Sequence, residues 1–185
     1  MERICRVFFM AALALEVAAP VFVRAQNDDR EGDEDTGDEL RFTIRMTDEN
    51  PDLQRLNTTP RHQEWIEVTH GDRVVHVYVA YPEVARRVPV VVLIHENRGL
   101  DTWIRSLADQ VAEEGYIVLA PDMLSGYGPD GGRTADFSGD DAAREALYRL
   151  PADQVMRDLR AVVGHARTME AGNGRVAVAG FCWGG

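Results

Sequence analysis

The sequence has only two cysteines, Cys5 and Cys182, in 185 residues. Two cysteines cannot build the set of disulfide bonds that holds a small secreted domain together. No apolar run reaches the roughly 20 residues that a membrane-spanning helix needs, so no integral membrane domain is expected. Basic residues are also scarce, since 20 Lys and Arg stand against 31 Asp and Glu, for a formal net charge of −11. Nucleic acid is therefore not an expected partner, because its binding requires clustered cations.

The N-terminal segment has the pattern of an export signal. Arg3 and Arg6 precede an apolar stretch at residues 7–15, and Val23-Arg24-Ala25 offers small residues around a possible cleavage site. This predicts that residues 1–25 are a signal peptide and that the protein is periplasmic or extracellular. An uncleaved membrane anchor and a mis-assigned start codon are the alternatives. Cleavage would leave one cysteine in the mature chain.

A strongly acidic segment follows the signal. Residues 28–39 contain eight Asp and Glu and a single Arg. Such a run cannot bury apolar surface and repels itself. Residues 26–60 are therefore expected to form a disordered acidic spacer, with calcium or partner binding as the alternative role.

Strand and helix patterns alternate from about residue 64. Two segments with alternating apolar residues flank a turn at residues 70–72, which predicts a β-hairpin. The run Pro89–Ile94 is apolar on both faces, as an interior strand covered by helices must be. Later segments predict helix, strand, helix and strand, at residues 104–112, 116–120, 155–169 and 175–179. This order indicates an α/β sheet with parallel crossovers, whose ligands bind at the carboxyl ends of the strands.

The pentapeptide Gly180-Phe-Cys-Trp-Gly184 directly follows the last predicted strand. A nucleophile in a sharp turn from strand to helix takes a strained backbone, and the residues two before and two after it must lack a β-carbon. Cys182 is the predicted nucleophile, and a buried inert cysteine is the alternative. The Trp183 N–H would donate to the oxyanion, with a second donor from the Asn97 N–H in the loop after Pro89–Ile94.

These residues resemble the dienelactone hydrolases, which are cysteine-dependent α/β-hydrolases. The resemblance lies in residues 89–100 (PVVVLIHENRGL), 115–122 (GYIVLAPD) and 180–185 (GFCWGG). It implies an α/β-hydrolase-like fold with a mostly parallel sheet and helices on both faces. It further implies that Glu96 governs the protonation of Cys182, with a surface carboxylate that caps the loop as the alternative. The implied substrate is a small-molecule lactone or activated carboxylic ester. Asp122 is interpreted as a residue that caps or buttresses the strand end.

The resemblance extends less clearly to Arg144, at the start of the sequence Arg-Glu-x-x-Tyr. In the family, an Arg in a similar segment helps to hold the substrate carboxylate, so Arg144 is a candidate substrate-binding residue. The spacing from this segment to Cys182 is shorter here, and an exposed helical Arg is the alternative interpretation.

The chain departs from the α/β-hydrolase order, in which an acid and then a histidine follow the nucleophile. All five histidines precede Cys182, and three residues follow it. We therefore expect residues 61–185 to be the N-terminal part of an α/β-hydrolase domain, incomplete after the nucleophile turn and cut before the catalytic Asp and His. The strand ending at Ala179 would then expose an unpaired edge. Such a fragment is expected to be poorly soluble and catalytically silent.

No cofactor is expected. Neither a Gly-x-Gly-x-x-Gly segment nor a Gly-rich Lys-Ser/Thr loop follows a predicted strand, and no His-Glu-x-x-His sequence suggests a zinc site. The alternative to a hydrolase is a non-catalytic α/β domain whose thiol senses oxidants or only packs.

Overall fold

A computed structural model describes residues 50–185 of the chain. The predicted signal peptide at residues 1–25 and most of the predicted spacer at 26–60 lie outside the described residues and stay predictions. The helices are α1 (Pro51–Thr58), α2 (Thr102–Glu113), α3 (Asp140–Tyr148) and α4 (Ala152–Thr168). The strands are β1 (Gln63–His70), β2 (Arg73–Ala80), β3 (Val88–Ile94), β4 (Ile117–Pro121) and β5 (Gly172–Gly180). None of the helices in residues 50–185 combines the length and apolar character needed to cross a bilayer.

The five strands form one sheet in the order β1-β2-β4-β3-β5. β3 is parallel to both of its neighbours, β4 and β5, whereas β2 pairs antiparallel with β1 and with β4. In the described part of the chain β2 alone therefore runs against the other strands. This arrangement confirms the prediction of a mostly parallel sheet with Pro89–Ile94 in its interior.

Helices cover both faces of the sheet, and β4 illustrates why its strands are apolar throughout. Ile117 and Leu119 belong to a buried cluster with Val162 of α4, on one face. Val118, between them in sequence, belongs to a second cluster with Ile104 of α2, on the other face. Each fully buried side chain of this size contributes roughly 1.5–3 kcal/mol to stability. The predicted α/β architecture, with helices on both faces, is confirmed.

Helix α1 lies inside the segment predicted to be a spacer. It begins at Pro51 after the N-cap Asn50 and places Arg55 against Asp109 of α2, with 2.7 Å between Nε and Oδ2. Asp109 is fully buried and also accepts hydrogen bonds from Thr59 and Arg61. Burial alone would raise the pKa of Asp109, but hydrogen bonds from Arg61, Thr59 and Arg55 outweigh it and lower that pKa. The folded region thus begins before residue 61, because basic residues in this short segment neutralise a buried carboxylate.

Strand β5 lies at an edge of the sheet and pairs only with β3 among the described residues. Most of its residues are exposed, and Val178 is 56% exposed. This edge matches the open edge expected from the sequence. The carboxyl ends of β3, β4 and β5 all point the same way, and the segments that follow them form the site described next.

Candidate active site

The residues after β5 form a sharp turn with Cys182 at its centre. Cys182 is exposed and has φ +51°, in the left-handed region that a residue with a side chain rarely adopts. The Gly184 N–H donates to the Phe181 carbonyl at 2.9 Å, and the Gly185 N–H donates to the Cys182 carbonyl at 3.1 Å. The Phe181 N–H donates to the Ile94 carbonyl of β3. The turn therefore holds the thiol outward in a strained conformation, as expected of a nucleophile.

The two flanking glycines are required by close backbone contacts. A β-carbon on Gly180 would overlap the Gly184 carbonyl oxygen and lie 2.5 Å from its carbon. A β-carbon on Gly184 would lie 2.6 Å from Cγ2 of Ile94 and 2.7 Å from the His95 carbonyl oxygen. Real β-carbons do not approach other atoms this closely. The spacing of glycines around Cys182 therefore has the steric cause that the sequence suggested.

An open hollow of about 370 Å³ lies beside the thiol. Its lining comprises Cys182 and Phe181 from the turn, Glu96 and Arg98 from the loop after β3, and Trp103 from α2. The rings of Trp103 and Phe181 meet edge to face, with 5.8 Å between their centroids. The structure thus brings Cys182 and Glu96 to one cavity, with an aromatic wall suited to an apolar substrate group.

Glu96 is held by its neighbour Arg98. The Glu96 Oε1 atom accepts one hydrogen bond from the Arg98 backbone N–H at 3.1 Å and another from Arg98 Nε at 2.7 Å. The Glu96 side chain is 15% exposed, so this ion pair is partly shielded from water. The sequence prediction identified Glu96 but missed Arg98.

The two predicted oxyanion donors are in adjoining segments. β3 and β5 are neighbours with Ile94 opposite Gly180, so Asn97 and Trp183 follow paired strand ends. Neither the Asn97 nor the Trp183 backbone N–H makes a hydrogen bond to another residue of the described chain. Neither Asn97 nor Trp183 is among the residues that line the hollow beside Cys182. Their role as oxyanion donors stays a prediction.

His95 fixes the start of the loop that carries Glu96 and Asn97. It is fully buried, its Nδ1 lies 2.8 Å from the Glu96 carbonyl, and its Nε2 accepts from the Met123 N–H at 3.2 Å. Its ring stacks on Trp183, with 5.6 Å between centroids. Because burial lowers the pKa of His95, the ring is neutral, with the proton on Nδ1. With both nitrogens engaged, His95 is a structural residue and not a base for the thiol.

The burial of His95 leads to a prediction of how the free energy of unfolding depends on pH. The pKa of His95 is lowered in the folded state and is about 6.5 in the unfolded state. As the pH falls, the imidazole of the unfolded chain therefore becomes protonated at a higher pH than that of the folded chain. The free energy of unfolding should therefore fall as the pH drops below about 6.5. In His95→Phe this part of the pH dependence should disappear, at a cost of about 1–3 kcal/mol for the two lost hydrogen bonds.

Urea unfolding of both proteins above and below that pH measures the effect. His62→Phe is the matched control, because the His62 side chain is 68% exposed. An unchanged pH slope in His95→Phe would contradict the neutral, buried imidazole.

A second support for this loop comes from the segment after β4. Asp122 is buried, and its carboxylate accepts hydrogen bonds from Leu124 N–H and from both the N–H and the hydroxyl of Thr134. The Leu100 N–H donates to Thr134 Oγ1 at 3.1 Å. Gly99 has φ +83°, and a β-carbon there would collide with Thr134. Asp122 thus buttresses the strand end, as interpreted from the sequence, whereas no sequence pattern indicated Thr134.

Arg144 lies apart from this arrangement. It is on α3, where its guanidinium binds Asp141 at 2.7 Å, and it is not among the residues that line the hollow beside Cys182. The structure therefore does not bring Arg144 to Cys182 and Glu96, and substrate binding by Arg144 stays a prediction. No histidine lines the hollow, and residues 50–185 contain no cluster of three metal-binding side chains.

Comparisons with known proteins bear on the family and the fold of the chain. The model of the dienelactone hydrolase family matches residues 75–185. The carboxymethylenebutenolidases of Pseudomonas putida and Pseudomonas knackmussii are each 30% identical over 101 residues, which cover 52% of this chain and 42% of each relative. A dienelactone hydrolase-like promiscuous phosphotriesterase from metagenomic libraries has the same fold, with a TM-score of 0.54 and 22% identity. That match covers 67% of this chain and 50% of the other. The chain thus spans half or less of the length of these proteins.

Proposed function

Because the chain belongs to the dienelactone hydrolase family, we propose that Cys182 cleaves a lactone or activated carboxylic ester through a covalent acyl-enzyme. The observation that carries the proposal is the left-handed backbone of Cys182, which presents an exposed thiol to the hollow lined by Glu96. A cysteine that only packed would have no reason to take this conformation. Membership of a hydrolase family supports the proposed hydrolase activity, and the covalent route is the finer step of the proposal.

In the first half of the reaction, the Cys182 thiolate attacks the carbonyl carbon and forms a C–S bond. The electron pair of the C=O bond moves to oxygen, where the Asn97 and Trp183 N–H groups would stabilise the negative charge. The tetrahedral intermediate then collapses, the C–O bond breaks, and the alkoxide leaves as an alcohol by taking the proton that Glu96 received from the thiol. In a lactone this alcohol stays attached to the acyl group.

Glu96 is proposed to receive the thiol proton, since its carboxylate lines the same hollow. In the second half of the reaction, water would attack the thioester, release a carboxylic acid and regenerate the thiol. That half needs a base to activate water, and no histidine of the described chain lines the hollow. We therefore expect this chain to be acylated faster than it is deacylated, with little steady-state turnover.

The test uses p-nitrophenyl acetate and the 185-residue chain. We expect one equivalent of p-nitrophenolate to be released per Cys182, followed by a rate near that of the uncatalysed reaction. Mass spectrometry of the proteolytic peptides should place one acetyl group on the Cys182 peptide. Acetylation elsewhere, or ester cleavage with no thioester, would overturn the covalent mechanism.

A thiol that senses oxidants is the second candidate, and the exposure of Cys182 supports it. The two candidates differ in their preferred electrophile. If hydrogen peroxide converts Cys182 to sulfenic acid readily while the activated ester leaves it unmodified, sensing is favoured and hydrolysis is not.

A further inference from the structure

The loop residue Arg98 occupies the wall between two adjoining hollows. One is the hollow beside Cys182, and the other, of about 250 Å³, lies against the start of α2 and α3. The Arg98 side chain is 38% exposed, so it is reachable from solvent, but its guanidinium is surrounded by carboxylates.

These carboxylates come from two segments of the chain, the loop between β3 and α2 and the start of α3. Nε of Arg98 binds Glu96 at 2.7 Å, Nη2 lies 3.1 Å from Asp101, and Nη1 lies 4.0 Å from Asp140. Asp101 is also the N-cap of α2, where it accepts from the Ile104 N–H. The guanidinium is therefore anchored to α2 independently of Glu96.

The two hydrogen bonds from Arg98 converge on one oxygen of Glu96, from the backbone N–H and from Nε. The Glu96 side chain is consequently held in one orientation at the rim of the hollow. Hydrogen bonding to Glu96 also raises the pKa of Arg98, against the opposing effect of burial, so Arg98 keeps its charge.

We propose that Arg98 is a positioning residue that orients the Glu96 carboxylate and thereby sets the reactivity of the Cys182 thiol. Arg98 acts through Glu96, because both its backbone N–H and its Nε donate to Glu96 Oε1. This inference rests on the proposed role of Cys182 as a nucleophile.

The experiment measures the rate at which iodoacetamide alkylates Cys182 as a function of pH. Modification is followed on the Cys182 peptide by mass spectrometry, so that Cys5 does not contribute. In Arg98→Met the Glu96 carboxylate keeps the backbone hydrogen bond but loses the one from Nε that orients it, so it should receive the thiol proton less readily. The rate profile should move to higher pH by about 0.5–1 pH unit. Arg98→Lys, which keeps the charge but not the guanidinium geometry, should restore part of this shift.

A double-mutant cycle separates an effect through Glu96 from a direct one. In the Glu96→Gln background, Arg98→Met should cause no further shift of the profile. A shift of the same size in that background would overturn the proposal, because Arg98 would then act on the sulfur directly. No shift in the single variant would overturn it as well.

The control is Arg149→Met, which removes an exposed arginine paired with Glu145 on the surface. Its profile should match that of the unmodified chain. Circular dichroism of each variant establishes that the fold is kept. The alkylation rate is measured without an ester and without turnover. Failure of the acyl-enzyme proposal would appear as missing acetylation of Cys182, whereas failure of the Arg98 proposal would appear as an unchanged alkylation profile in Arg98→Met.

Discussion

Replacing Cys182 by serine is expected to reduce covalent acylation by p-nitrophenyl acetate by on the order of 10⁴-fold or more. A thiol ionises to a few per cent near neutral pH, whereas a serine hydroxyl needs an adjacent base to become a nucleophile. No histidine of the described chain lines the hollow, and a carboxylate such as Glu96 is too weak a base to activate a hydroxyl at position 182. The burst of p-nitrophenolate, measured by stopped flow, should therefore vanish in Cys182→Ser.

The backbone of the turn should survive this change, because oxygen is smaller than sulfur and no contact is added. Cys5→Ser is the matched control, and its burst should equal that of the unmodified chain. An undiminished burst in Cys182→Ser would place the nucleophile elsewhere and remove the basis of the acyl-enzyme proposal.

The fold could be predicted from sequence where burial on two faces left a continuous apolar pattern. Residues Pro89–Ile94 are apolar throughout because β3 lies between two strands and beneath helices on both sides. The end of α2 was also predictable, since Gly115 has φ +91° and its N–H donates to the Ala112 carbonyl. In both cases the signal lies in a short run of consecutive residues.

Helix α1 could not be predicted in the same way, because contacts distant in sequence stabilise it. None of its residues is fully buried, and an isolated helix of eight residues is marginal in water. Its anchor is Asp109, which lies 54 residues from Arg55. The composition of the segment suggested a spacer, since nothing in it indicates a buried partner.

The residues of the candidate site also differ in whether the sequence alone could predict them. The Cys182 turn was predictable because its steric requirement, two flanking glycines, appears in the sequence itself. Thr134 was not, because it supports Leu100 and Asp122 from a loop without periodicity. Arg98 is adjacent to the predicted site residues, but only the geometry of its hydrogen bonds to Glu96 distinguishes it from an ordinary surface arginine.

Gly180→Ala is expected to destabilise the nucleophile turn and to abolish the rapid alkylation of Cys182. The added methyl group would overlap the carbonyl oxygen of Gly184, which is backbone and cannot rotate away. Either the turn opens or β5 shifts along β3, and both changes remove the left-handed conformation of Cys182. The free energy of unfolding should fall by about 1–3 kcal/mol, as for other overpacked sites.

Gly164→Ala separates this steric effect from a general effect of losing a glycine. Gly164 lies inside α4, and a β-carbon there would meet no atom within 4 Å beyond the backbone of its own helix. Alanine favours a helix interior over glycine, so Gly164→Ala should raise stability by about 0.5–1 kcal/mol and leave alkylation unchanged. Urea unfolding and the alkylation rate of the Cys182 peptide measure both variants. If Gly180→Ala kept the rate and stability of the unmodified chain, the thiol would not owe its reactivity to the tight turn, because that turn cannot accommodate the methyl group.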